Sequence, residues 1–169
     1  MKQGIPLFLV LILLQGCLFK EVDKPITSYI IETPFVSMKG EIKDKTVKFR
    51  VRQTPFFHSR DIWYKKSYQL APYKYAKWAI PLDEMVAQNL SQAKFVRETF
   101  GQVLSQHSSL HSDYTFEIEI LQMYQQFEEK GSLVKVRLGV TLLSHKSEAP
   151  IRRFVIDKSH PCKTDDALG

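Results

Sequence analysis

The chain is poor in the residues that staple, hinge or cradle. Its 169 residues include two cysteines, Cys17 and Cys162, which excludes a disulfide-rich framework and any clustered-cysteine zinc site. Seven glycines are present, none in a loop of the kind that wraps a phosphate, and there is no Gly-x-Ser-x-Gly elbow. The apolar run at the N-terminus, Ile5 to Leu14, falls well short of the roughly 20 residues a spanning helix needs. What is there in quantity is ordinary: 44% hydrophobic and 25% charged residues, the balance of one globular domain with a real core. The formal net charge of +6 suits nucleic acid, an anionic membrane surface or an acidic partner, and does not choose among them.

The N-terminus does choose. Lys2 supplies a small positive region, the apolar run follows, and the run stops at Leu14-Gln15-Gly16-Cys17. This resembles the lipobox of bacterial lipoproteins, an aliphatic residue, a tolerant position, a small residue and an obligatory Cys. The resemblance implies recognition of Leu14, Gln15 and Gly16 by the signal peptidase and cleavage before Cys17. It also implies diacylglycerol on the Cys17 sulfur, by a thioether only a thiol can form, and an N-acyl chain. Gln15 departs from the commonest small residue at its place. Leu18, rather than Asp, implies sorting to the outer membrane, facing the periplasm. Acyl chains contribute about 0.8 kcal/mol per buried CH₂, so the lipid and not the peptide would hold the membrane. Cys162 is then left without an intramolecular partner.

Residues 1–16 are therefore expected to be a signal peptide, 17–25 a lipidated tether and 26–169 the folded domain. Thr27 to Glu32 is β-rich. From Thr46, Val47, Phe49 and Val51 alternate with Lys48, Arg50 and Arg52, which predicts a half-buried strand with a basic outer face. Asp61 to Lys65 suits a short strand, with a further element around Ser67 to Leu70. Pro81 opens a helix: Asp83 and Glu84 stand in its first turn, and Leu82, Met85, Val86, Leu90 and Ala93 recur at spacings of three and four. A continuation from Phe95 to Ser105 is expected to break at Gly101.

Tyr114, Phe116, Ile118 and Ile120 alternate with polar residues, a turn follows at Glu128 to Ser132, and Val134 to Leu142 alternate again. This predicts a long antiparallel hairpin, with Glu117 and Glu119 set against Lys135 and Arg137 on its exposed face. Ile151 to Lys158 adds a third strand. The fold class expected is α+β, an antiparallel sheet with helices packed on it in a single domain.

Two segments, "LAPYKYAKWAIPLDEMVAQNL" (Leu70 to Leu90) and "SSLHSDYTFEIEILQMYQQFEE" (Ser108 to Glu129), resemble the ABC-type transport auxiliary lipoprotein family, the PqiC/YmbA-like partners of Mce-domain systems. The resemblance rests on Tyr75, Trp78, Pro81 and Leu82 at the start of the helix, on Asp113 and Tyr114 opening the hairpin, and on Tyr29 near the first strand. It implies a non-enzymatic outer-membrane lipoprotein. Its expected partners are an ABC permease and ATPase and a periplasmic Mce-domain protein, which together move phospholipids or other hydrophobic molecules; homo-oligomerisation is also expected. Family members usually carry a further helix after the last strand. Here Thr164 to Gly169 follow it, with capping residues where such a helix would start.

The reactive side chains read blandly beside this. His107 and His111 in "HSSLH" lack an intervening Glu and a third ligand, so a polar loop is expected rather than a metal site. His160 and Cys162 are a two-ligand fragment, and Asp83 with Glu84 serve the helix dipole rather than acid–base chemistry. No cofactor, metal or catalytic residue is expected beyond the lipid on Cys17. The stretch from Trp63 to Trp78 interleaves aromatics with lysines, a pattern that suits single-stranded nucleic acid, but export removes that partner. The aromatics then either belong to the fold, as Trp78 is expected to, or include a partner or lipid surface at Tyr73, Lys74, Tyr75 and Lys77. The alternative function is a scaffolding envelope lipoprotein unconnected with lipid transport. Cys17→Ala is expected to abolish incorporation of labelled palmitate and to leave an uncut chain, read by metabolic labelling and intact mass.

Overall fold

The computed structural model describes residues 24–32, 42–57, 59–147 and 149–167; the expected signal peptide, Leu14 to Gly16, Cys17 and most of the expected tether lie outside them. The described chain runs β1 (Thr27–Tyr29), β2 (Ile42–Gln53), β3 (Asp61–Lys66), β4 (Gln69–Trp78), α1 (Leu82–Gln92), α2 (Lys94–Thr99), β5 (Phe100–Leu104), β6 (Tyr114–Glu128), β7 (Gly131–Ser144) and β8 (Arg152–Pro161). It is a single domain of the α+β kind, mostly sheet, with two short helices.

The sheet is organised by β6. Along one edge, β6 pairs parallel with β2 from Val47↔Tyr114 to Gln53↔Ile120, and then parallel with β3 from Tyr64↔Gln125 to Lys66↔Phe127. Between these two pairings the chain makes a 3₁₀ turn at Pro55–Phe57 and returns to the same edge. Its other edge pairs along its whole length with β7, and β8 is added beyond β7. Parallel β5 extends the β2 half, while antiparallel β4 and parallel β1 extend the β3 half. The expected hairpin and third strand are present, but the sheet is mixed rather than antiparallel, because β2 and β3 both reach β6 by crossovers and not by hairpins.

Alternation fixes which side is buried. Val51, Ile118, Val140 and Phe154 stand in one row across four strands, and Phe116 beside Phe49 stacks on it with centroids 5.4 Å apart. The helices cover this face over β2, with Leu82, Met85, Ala87 and Val96 buried. Ile120 is 1% exposed, and burying a side chain of its size contributes about 1.5–3 kcal/mol. A bulge between Ile120 and Gln122 shifts the alternation by one residue. Met123, Gln125 and Phe127 thereby face the same side as Phe116, Ile118 and Ile120.

Pro81 stands at the N-cap of α1 rather than at the first helical position expected for it, with Asp83 and Glu84 in the first turn. No side chain caps the helix; Asp83 instead accepts a hydrogen bond at 3.1 Å from the buried Gln53 amide. The helical continuation ends at Thr99, before Gly101, which lies within β5. Gly101 serves a close approach and not a helix break, since a Cβ there would collide with the carbonyl of Lys43 on β2. The acidic pair also differs from expectation. Register places Glu117 and Glu119 opposite Thr141 and Gly139, so their ion pairs go to β2, with Arg50 at 3.4 Å and Arg52 at 3.5 Å. Arg137 pairs instead with Asp157 at 3.7 Å. These pairs are exposed and contribute little. Gly101→Ala is expected to destabilise the domain by about 1–3 kcal/mol, read as a lower urea midpoint at unchanged slope.

Candidate functional site

Beyond the helices, on the same face, the β3 half of the sheet carries an aromatic cleft of about 640 Å³. Tyr64 on β3 tilts against Tyr73 on β4, with centroids 4.8 Å apart, and meets Phe127 of β6 edge-on at 5.9 Å. Tyr29 and Tyr75 also line the cleft. The bulge in β6 is what brings Phe127 to this side.

One of these rings is tied down by its polar end. The Tyr73 hydroxyl donates to Gln125 Oε1 at 2.6 Å, and the Gln125 amide donates to Ser132 Oγ at 2.7 Å. Ser132 Oγ in turn donates to Asp165 at 2.6 Å. The segment after β8 therefore closes one end of the cleft, held also by Cys162 N–H donating to the Ser132 carbonyl at 2.9 Å. Burial, with the nearby Asp166 carboxylate adding to it, pushes the Tyr73 phenol up to about 12.

Of the four residues expected to form a partner or lipid surface, three come together. Tyr73, Lys74 and Tyr75 all line the cleft, with the Lys74 ammonium 4.8 Å from the Tyr75 ring centroid. Lys77 does not join them. It pairs with Asp61 at 2.8 Å across the β3–β4 ladder, which holds the Asp61 carboxyl below its usual range. Tyr64, one of the aromatics of the Trp63 to Trp78 stretch, and Phe127 complete the cleft; Phe127 was not singled out in sequence, and its signal was the phase change within "ILQMY". Trp78 packs against the hydrophobic core, as the fold reading expected.

The histidines divide between neighbours. His107 lies beside the Gln106 amide, whereas His111 stacks on His145 with centroids 4.7 Å apart. Among the described residues no group of three potential ligands stands close enough to hold a metal, and no helix is long and apolar enough to cross a membrane. Lys48 departs from its expected place on an exposed basic face: it is 4% exposed, because the loop from Ser105 to Asp113 folds over it. Asp113 anchors that loop by accepting from the Thr46 N–H and hydroxyl, both at 2.9 Å. These bonds hold its carboxyl below the usual range.

No family model matches the chain, and no curated protein matches it. Solved structures do share its fold. A crystal structure of a Xanthomonas campestris protein labelled with the family DUF330 superposes with a TM-score of 0.64 at 15% identity, over 85% of this chain and 81% of that one. A second crystal structure, of an uncharacterised protein, gives a TM-score of 0.59 at 14% identity, over 86% of this chain and 87% of the other. At such identities the likeness is one of fold.

The Tyr73 proton supplies a direct check on the cleft. The native state holds this proton more tightly than the unfolded state, whose tyrosines ionise near 10.0, so stability should be unaffected below that pH and fall as pH rises towards about 12. Tyr73→Phe is expected to remove the highest-pH step from the ultraviolet titration of tyrosinate.

Proposed function

We propose that the chain is a lipid-anchored outer-membrane protein that serves as the auxiliary component of an Mce-type ABC transport system, moving phospholipids or other hydrophobic molecules across the periplasm. The observation that carries this reading is the order of motifs: a lipobox ending at Cys17, then Tyr75, Trp78, Pro81 and Leu82, then Asp113 and Tyr114. Each later motif has a physical task in the fold. Trp78 and Leu82 pack into the core at the junction of β4 and α1, Pro81 starts the helix, and Asp113 pins the loop that leads into β6.

The aromatic cleft supports the same reading. Aromatic rings, among them Tyr73 with its tethered hydroxyl, and Lys66 and Lys74 in the lining make a largely apolar surface with cations at its edge, suited to a hydrophobic partner that carries negative charge. The residues in this reading act by binding, so the chain is proposed to be an accessory protein and not an enzyme.

Photocrosslinking in cells from positions 74 and 75 and from the Leu133 to Ser144 stretch of β7 tests it, with Cys17→Ala as the anchoring control. Adducts to an Mce-domain protein that vanish in the control are expected. Adducts to an unrelated envelope protein, from correctly anchored and folded chain, would replace this reading with that of a scaffold.

A further inference from the structure

The face of the sheet opposite the helices carries a second cavity, of about 410 Å³, with a different chemistry. Its floor is the row Lys48, Thr115 and Leu143 across β2, β6 and β7, with Arg50 two residues along β2. One wall is the loop that folds over Lys48, and the other is the β7–β8 turn. His111 from the first wall stacks on His145 from the second, so the two loops meet across the opening.

The charge in this cavity is unbalanced. Lys48 as a residue is 4% exposed, yet the partners of its ammonium are two neutral carbonyls, of Ser108 at 2.8 Å and Leu110 at 2.7 Å. An ammonium has three protons to donate, so one direction remains beyond these two bonds. Burying a cation without an opposite charge is costly. Among the described residues no carboxylate lines the cavity. Asp113, the acid nearest in sequence to the cover, is engaged by Thr46. Arg50 adds a second cation whose pair with Glu117 is long and exposed, and an exposed pair is worth little. Ser112 and Thr115 share a hydroxyl hydrogen bond at 2.9 Å and bring further donors.

The geometry points to a binding site for a phosphate group, formed by Lys48 and Arg50 below and by His111, His145, Ser112 and Thr115 around it. Donors converge from the sheet and from both loops, which matches the oxygens of a tetrahedral phosphate better than the two oxygens of a planar carboxylate. The same chemistry is offered by a phospholipid headgroup and by free phosphate. The site is separate from the aromatic cleft and does not depend on the transport reading.

The test uses the full chain purified in a phosphate-free maltoside detergent. It is titrated by calorimetry with inorganic phosphate, with soluble dihexanoyl phosphatidylglycerol, and with dihexanoylglycerol, which lacks the phosphate. Saturable binding of at least one phosphate carrier is expected, with none for dihexanoylglycerol. Lys48→Met should weaken it by roughly ten- to a hundredfold, the worth of a charged hydrogen bond. Binding of inorganic phosphate alone would identify a soluble source, and binding of the phosphatidylglycerol alone a lipid headgroup; either supports the site. Should Lys48→Met fail to fold, the double variant His111→Ala, His145→Ala carries the same comparison, since it leaves the strands untouched. Absence of binding by either phosphate carrier, or binding unchanged in a folded variant, would overturn the inference.

Discussion

Everything in this fold depends on one strand having two different neighbours along a single edge. β6 is 15 residues long, about 50 Å at the usual rise of a strand, longer than either β2's pairing or β3's can cover. The chain lays β2 against its first half, turns at Pro55–Phe57, and lays β3 against its second half. The Thr54 N–H donates to the Ile120 carbonyl at 3.3 Å where one pairing gives way to the other. The bulge in β6 follows directly. Two half-sheets can then carry different covers, helices over one and aromatic rings over the other, while the ribbon of β6, β7 and β8 keeps them a single unit.

The two faces are chemically opposed. On the helix-bearing side, apolar rows continue into aromatic rings, of which Tyr73 is fixed through its hydroxyl by Gln125. On the other side, the rows are Arg50–Glu117–Thr141–Arg153 and Arg52–Glu119–Gly139–Val155, a charged ladder that ends under the cover of Lys48. Among the described residues nothing large is packed on this ladder apart from the loop that Asp113 holds, and that loop shuts water out around Lys48.

Much of this was legible in the sequence, because period-two alternation is a strong signal wherever one face is buried. The β6–β7 hairpin, β8, the turn at Glu128 to Ser132 and the helix beginning after Pro81 all follow from apolar spacing and turn chemistry. The pairing partners did not follow. Alternation says that Val47, Phe49 and Val51 are buried, but not that β2 lies parallel to β6, because strand neighbours are chosen by packing across long separations. Glu117 and Glu119 found arginines on β2 for that reason. Gly101 misled because a glycine that relieves a helix and one that admits a neighbouring carbonyl look alike in one dimension. Lys48 was hidden by its own pattern: alternation sent it outward correctly, and only a loop 60 residues away in sequence turned outward into buried. In the aromatic cleft, Tyr73, Lys74 and Tyr75 were visible as a cluster, whereas Phe127 was not, since its side depends on a one-residue bulge.

The parallel pairing of β2 with β6 also sets an order of events in folding. Partners such as Arg50 and Glu117 stand 67 residues apart, so closing that loop costs entropy that local contacts do not repay. The hairpins β3–β4, β6–β7 and β7–β8 need only short loops and can form first. Until the helices, β5 and β6 have docked on it, β2 is a bare strand with Val47, Phe49 and Val51 in line. The alternating Lys48, Arg50 and Arg52 then act before the native state exists, as charges that keep unpaired β2 strands of separate chains from adhering to one another.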